Sequence, residues 1–210
     1  MDIINPHDKF FKDTFSDKEA ATDFFKQTIP PDLITKIDFA TLDFDSNSYI
    51  DEELKEYFSD IVYNCTYSSS IPVKIVLLFE HKSYVPEYLH LQLLKYLLKI
   101  WETGIKQDKK LIPVIPLIYY HGKERWEIKP FCNYFTEIDE KLKHFIPELN
   151  YLLTDLSSFT DEELMNGIFN NVSTKISSLL MKNIFNEEKL LKNLFDFLNI
   201  GELYLKRRKD

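Results

Sequence analysis

Apolar residues recur along this chain in two rhythms, and the places where the rhythm changes mark out the elements. Phe11, Phe15, Phe24 and Phe25 form a stripe at helical spacing across residues 7–28, and the Pro30–Pro31 pair closes that helix. In residues 34–45, Ile37 and Phe39 alternate with polar neighbours, which predicts a strand. Residues 50–57 fit either a turn or a short helix. Alternation is clean over residues 60–67: Ile61, Tyr63, Cys65 and Tyr67 share one face, and Asp60, Val62, Asn64 and Thr66 share the other. After a serine-rich loop, residues 73–80 (VKIVLLFE) are continuously apolar up to the glutamate, as in a central strand covered on both faces. Residues 86–103 read as a helix, with Pro86 near its start and Gly104 just past its end. Residues 111–120 (LIPVIPLIYY) read as a further strand whose two prolines suit an edge or a strand start.

From Pro147 onward the pattern is helical and rich in Leu, Asn and Lys. Thr160 and Glu163 form a capping-box pair, and Leu164, Ile168, Val172, Ile176, Leu179 and Ile184 follow at helical spacing. A last helix is expected from about Asn186 to Gly201, ahead of a basic tail. The expected class is therefore α/β: an αβββαβ core over residues 1–146 and a helical C-terminal extension over residues 147–210.

Composition narrows the function classes. The net charge is −8, so a protein that coats nucleic acid by charge alone is excluded, whereas an enzyme touching DNA along one cleft is allowed. The two cysteines, Cys65 and Cys132, form no metal-binding pair, and the setting reads as reducing and cytoplasmic. The opening MDIINPHDKFF lacks a basic segment followed by an apolar run, so no signal peptide is expected. The longest apolar run, Leu111–Tyr120, is too short to span a bilayer, so no membrane partner is expected.

The chemistry gathers around the serine loop. A hairpin centred near Ser70 sets Asp60 opposite Glu80, and directly opposed Cβ atoms lie roughly 4.5–5.5 Å apart. Two carboxylates so close repel, and a divalent cation between them removes the conflict. Lys82, two residues on, shares the face of Glu80 if the strand continues. The peptide carbonyl of His81 can add a third hard oxygen. Two acids and an amine at one sheet end suit phosphodiester hydrolysis: the ion lowers the pKa of a bound water, and the lysine orients that water or steadies the transition-state charge.

Several blocks, in this order, carry a family resemblance: HDKFFKDTFSD (7–17), YIDEELKEYFSDIVY (49–63), LLFEHKSY (77–84), LQLLKYLLKIWE (91–102) and IPVIPLIYYHGKERW (112–126). The chain resembles the Rpn recombination-promoting nucleases, a transposase-labelled family within the PD-(D/E)xK nuclease superfamily. The resemblance implies a restriction-endonuclease-like core and a metal-dependent DNA endonuclease. It implies Asp60 and Glu80 as ligands of Mg2+, with Mn2+ or Ca2+ as substitutes, and Lys82 as the catalytic lysine. Gln92 and Tyr96 resemble the QxxxY motif of RecB-like relatives and lie on one helix face; a core tyrosine and a glutamine filling a polar gap would look the same. Asp8, near the start of the first helix, is a further acid that approaches the metal in related folds. Family members are often longer, with more helical sequence after the core. DNA is the expected partner, and the C-terminal helices offer a homodimer surface. The competing functions are a DNA-binding or assembly module that keeps the fold without catalysis, and an interaction protein working through its C-terminal helices.

Overall fold

The computed structural model describes residues 6–51, 54–80 and 84–191. Two compact units emerge, residues 36–155 and residues 1–35 together with 156–210. The division expected at residues 146/147 differs from this, because the first helices group with the C-terminal ones.

The first unit is a five-stranded mixed sheet in the order β1-β2-β3-β4-β5. Its strands are β1 (Ile37–Asp45), β2 (Phe58–Tyr67), β3 (Ile71–Glu80), β4 (Val114–Tyr120) and β5 (Leu152–Asp155). β1 and β2, and β2 and β3, pair antiparallel, while β3–β4 and β4–β5 are parallel. Parallel neighbours need a crossover, and helix α4 (Leu89–Lys106) supplies the one from β3 to β4. Gly104 lies inside this helix, not beyond it as its usual role as a stop signal suggests. The helix packs Leu89, Leu93, Tyr96, Leu97 and Ile100 onto Phe58, Val62, Val76, Leu78, Ile118 and Tyr120. On the opposite sheet face Tyr63, Ile75, Leu77 and Tyr119 are also fully buried, which explains why β3 reads as a continuous apolar run.

Two strand expectations change. β4 is an inner strand despite its prolines: Pro116 faces Val76 of β3, whereas β5 joins only from Leu117 onward. On the β5 side the strand is still an edge at Pro116, so the missing N–H breaks no ladder there. β5 itself was hidden in the stretch expected to be helical from Pro147, being only four residues long and followed by a short 3-10 turn at Leu156–Ser158. A small helix, Glu140–Lys143 (α5), lies between β4 and β5.

In the helical unit, the single helix expected over residues 7–28 is two, α1 (Pro6–Phe15) and α2 (Lys18–Thr28), followed by the short α3 (Pro31–Ile34). Asp17 breaks the run by capping α2, its Oδ1 accepting the Ala20 N–H at 2.8 Å. The Thr160–Glu163 capping box forms as expected, with Thr160 N donating to Glu163 Oε2 at 2.7 Å and Glu163 N to Thr160 Oγ1 at 3.1 Å. The helix it opens is short and π-type (Glu163–Gly167), and Asn171 caps a new helix, α6 (Val172–Asn183). Phe24 of α2 stacks on Phe169 at 5.6 Å, tying the N-terminal helices to the C-terminal ones within this unit. Most of the last expected helix, from residue 192 on, lies outside the described residues.

Candidate functional site

The register of the β2–β3 hairpin decides where the acids fall. Tyr67 pairs with Ile71, Phe58 with Glu80, and Asp60 with Leu78. The hairpin therefore turns around Ser69, one residue earlier than the centre expected at Ser70, and Asp60 does not sit opposite Glu80. Moving a hairpin's centre by one residue changes the pairing by two, and side chains alternate with period two, so the shared face survives. Asp60 and Glu80 are diagonal neighbours on the α4 side of the sheet, a separation of roughly 7–8 Å between Cα atoms. The cause of the change is the turn. Ser70 N donates to Tyr67 O at 3.3 Å, and both central residues are left-handed, Ser68 with φ 47° and Ser69 with φ 67°. Both have the left-handed φ of a type I′ turn, here inside a three-residue loop between Tyr67 and Ile71.

Asp60 is held from three directions. Ser48 Oγ donates to its Oδ1 at 2.6 Å; Tyr49 N and Tyr96 Oη donate to its Oδ2 at 2.8 and 2.9 Å. Ser48 and Tyr49 come from the segment between β1 and β2, and Tyr96 from α4, so three parts of the unit converge on one carboxylate. A carboxylate oxygen accepts about two hydrogen bonds. Oδ2 is filled, whereas Oδ1 receives Ser48 alone among the described residues and keeps a position for another partner. Burial first, then the Asp60 charge and hydrogen bond, push the Tyr96 hydroxyl well above the usual tyrosine range, so it remains a donor to Asp60.

Glu80 is completely buried at the end of β3. Its charge is felt at Tyr120 on the neighbouring strand, whose hydroxyl is pushed up to about 12 by burial first and then by Asp155, Glu124 and Glu80. Gln92 lies one helical turn before Tyr96, toward the Glu80 end because α4 runs back along β3. Its Oε1 is enclosed with no hydrogen-bond partner among the described residues. An enclosed acceptor without a donor is costly, and this makes Gln92 a candidate contact for a bound group. His81 and Lys82 lie outside the described residues. Asp8 belongs to the helical unit, where it pairs with Lys12 at 3.4 Å.

Sequence reasoning missed Ser48 and the Tyr49 N–H. The run Asp45-Ser46-Asn47-Ser48 reads only as turn chemistry, and nothing local says that one of its hydroxyls reaches an acid in the next strand. It also missed a second polar cluster farther along the same sheet face. Lys74 Nζ bonds Asp45 Oδ2 at 2.6 Å and Asn64 Oδ1 at 2.7 Å, and Tyr49 Oη donates to the same Asp45 oxygen at 2.9 Å. Burial raises the Asp45 pKa, but Lys74, Asn47 and Tyr49 outweigh it and bring it down to about 2. Tyr49 thus touches both clusters, with its backbone on Asp60 and its ring hydroxyl on Asp45. Trp126 is core, donating Nε1 to Tyr151 at 3.2 Å, and Trp101 is half-buried with Nε1 donating to Ile112 O at 2.9 Å. Both cysteines are free. Among the described residues no group of three His, Cys, Asp or Glu side chains could hold a metal, and no helix is long and apolar enough to cross a membrane.

A mixed five-stranded sheet with one crossover helix and two acids on one face defines an α/β protein of the restriction-endonuclease-like kind. The chain belongs to the family described as "Putative transposase, YhgA-like", whose model matches residues 5–208. It is 28% identical over 161 residues to the recombination-promoting nuclease RpnA of Escherichia coli (strain K12), covering 76% of this chain and 55% of that protein. Against RpnD of Escherichia coli O157:H7 the figures are 26% over 162 residues, 76% and 62%. A relative named as inactive, the nuclease-like protein RpnE of strain K12, is 27% identical over 166 residues, covering 77% of this chain and 54% of its own length. The chain thus spans little more than half the length of these relatives. No solved structure matches it.

Proposed function

We propose that this chain is a Mg2+-dependent DNA endonuclease of the PD-(D/E)xK type, linked to recombination or mobile elements. The observation that carries this reading is the placement of Asp60 and Glu80 as diagonal neighbours on one sheet face, with Asp60 fixed by Ser48, Tyr49 and Tyr96. The names of the relatives supply the nuclease chemistry and its tie to recombination.

The donor set fits a hard divalent ion. Mg2+ is usually held by one or two carboxylates, keeping waters and substrate phosphates as its other ligands. A site with two protein acids is therefore compatible with the lack of a three-residue cluster among the described residues. Asp60 offers Oδ1 and Glu80 its carboxylate; the His81 carbonyl is a third candidate, and Mn2+ or Ca2+ are candidate substitutes. When bound, the ion supplies charge stabilisation at the phosphoryl group and a more acidic water. Tyr96 and Ser48 keep the Asp60 carboxylate from rotating. Lys82 is assigned to the attacking water or the developing phosphoryl charge, and Gln92 to a contact with substrate or a water. Tyr96 acts through Asp60 and is a positioning residue.

The test is plasmid cleavage with Mg2+ or Mn2+ by the whole chain, comparing wild type with Asp60→Ala, Glu80→Ala and Lys82→Ala. Loss of cleavage in all three with retained fold supports the assignment, and unchanged cleavage in all three removes it. A second reading is a DNA-binding or interaction module that keeps the fold without cleaving. It is favoured by the relative named as inactive, whose identity to this chain matches that of the named nucleases. DNA binding without cleavage under any divalent ion would select it. A cytoplasmic location is part of the proposal.

A further inference from the structure

The outward side of α4 carries a second apolar pattern. Leu89, Leu93, Tyr96, Leu97 and Ile100 face the sheet. On the other side Leu91, Leu98 and Ile105 stand 46, 52 and 57% exposed, seven residues apart each time. Isolated exposed leucines are ordinary. These three are not isolated: the half-buried Leu94 and Trp101 fall between them, so residues 91, 94, 98, 101 and 105 follow the alternating three- and four-residue steps of a heptad seam. A helix that shows one apolar face to its own sheet and a heptad seam to solvent is built to meet another helix.

Its charges say which one. Lys95 and Glu102 are exposed beside the seam, on the same flank and on either side of Leu98. Two copies of α4 crossed antiparallel near Leu98 bring Lys95 of each alongside Glu102 of the other, and Leu91 of each toward Ile105 of the other. The surface is therefore self-complementary under a two-fold axis, the requirement of an isologous dimer. A parallel pair sets each residue level with its own copy and gains nothing from these charges. We infer that a second copy of this chain docks on the outer ridge of α4, antiparallel and centred near Leu98. This places the dimer surface on α4 instead of the C-terminal helices expected to carry it, and it holds whether or not the chain cleaves DNA. An 18-residue helix is about 27 Å long, so the contact is of modest size and the association should depend on concentration.

Sedimentation of the whole chain across the micromolar range tests this. The expected result is a monomer–dimer equilibrium that Leu98→Glu weakens at least about tenfold, with circular dichroism unchanged because Leu98 is exposed. Lys95→Glu and Glu102→Lys should each weaken it, and the double exchange should restore it. A monomer throughout, or a dimer indifferent to Leu98→Glu, would overturn the inference. Single exchanges that weaken the dimer without rescue by the double would overturn the antiparallel arrangement.

Discussion

The Tyr96 hydroxyl reaches from α4 to donate to Asp60 Oδ2 at 2.9 Å, with both residues buried. This bond joins the crossover helix to the strand that carries the first acid. It also fills Oδ2 and leaves Oδ1 as the more available oxygen. Removing the donor while keeping the ring isolates its contribution. Tyr96→Phe should lower stability by about 1.5–3 kcal/mol, the range for a buried hydrogen bond to a charged group, measured by urea denaturation. On the proposed function it should lower kcat for DNA cleavage more than it raises KM, because Asp60 loses orientation and not charge. An unchanged urea midpoint together with unchanged cleavage would separate this bond from both roles.

Glu80 invites the opposite experiment. Two carboxylates on adjacent strands repel without a cation, and the α4 side of the sheet shields them from water. Glu80→Gln keeps the shape and removes one charge. The metal-free protein should become more stable, on the order of 1 kcal/mol, as happens when a strained functional group is relieved. On the proposed function Mg2+ should raise the Tm of the wild type, and that rise should vanish in the variant. Thermal unfolding with and without Mg2+ reads both effects. A variant that still gains stability from Mg2+ would remove Glu80 from the ligand set.

The sheet was legible because its signals are strong and local. The alternation of β2, the continuous apolar run of β3 and the amphipathic stripe of α4 each fix an element, and Tyr96 could be placed on the correct helix from spacing alone. β5 was not legible: Leu152–Asp155 is four residues long and is specified by the neighbouring Leu117–Tyr120, not by its own letters. The hairpin centre was missed by one residue because three serines carry no preference for where the left-handed positions fall. That error set Glu80 opposite Asp60 instead of opposite Phe58, its observed partner, yet preserved the face, since side-chain direction repeats every two residues. Ser48 was invisible for a different reason: its hydrogen bond to Asp60 spans the turn between β1 and β2 and depends on the whole sheet.

Acid should loosen the molecule through Asp45. Its carboxyl is brought down to about 2 from an unfolded value near 3.8, after Lys74, Asn47 and Tyr49 outweigh the burial that opposes them. A depressed carboxyl contributes stability above its unfolded pKa and loses it as pH falls through the folded one, so the window is pH 4 to 2. Allowing for solvent screening, the contribution is on the order of 1–2 kcal/mol. Lys74→Met leaves Asp45 half-buried without its cation, so the Asp45 pKa should rise and stability at neutral pH should fall by roughly 3 kcal/mol. Denaturation across pH 2–6 on both proteins checks the sign. A Lys74→Met variant that is still as stable as wild type at neutral pH would show that the pair is not needed.

The hairpin turn gives the last test, because register and site depend on the same residues. Ser68 and Ser69 both occupy left-handed backbone, with φ 47° and 67°. For an L residue with a β-carbon this costs roughly 1 kcal/mol each, whereas Asn tolerates it and Gly adopts it without strain. Replacing Ser68-Ser69 by Asn-Gly supplies the preferred type I′ pair and should raise stability by about 1 kcal/mol. The change lies at the far end of the hairpin from Asp60 and Glu80, so on the proposed function it should leave Mg2+ binding and cleavage intact. If the pairing were instead centred on Ser70, Ser68 would leave the turn for the strand, Asn-Gly would no longer fill two turn positions, and the substitution would not stabilise. Chemical denaturation of the Asn-Gly variant, with backbone exchange protection at Asp60 and Leu78, distinguishes the two registers, since only the observed one makes those residues partners.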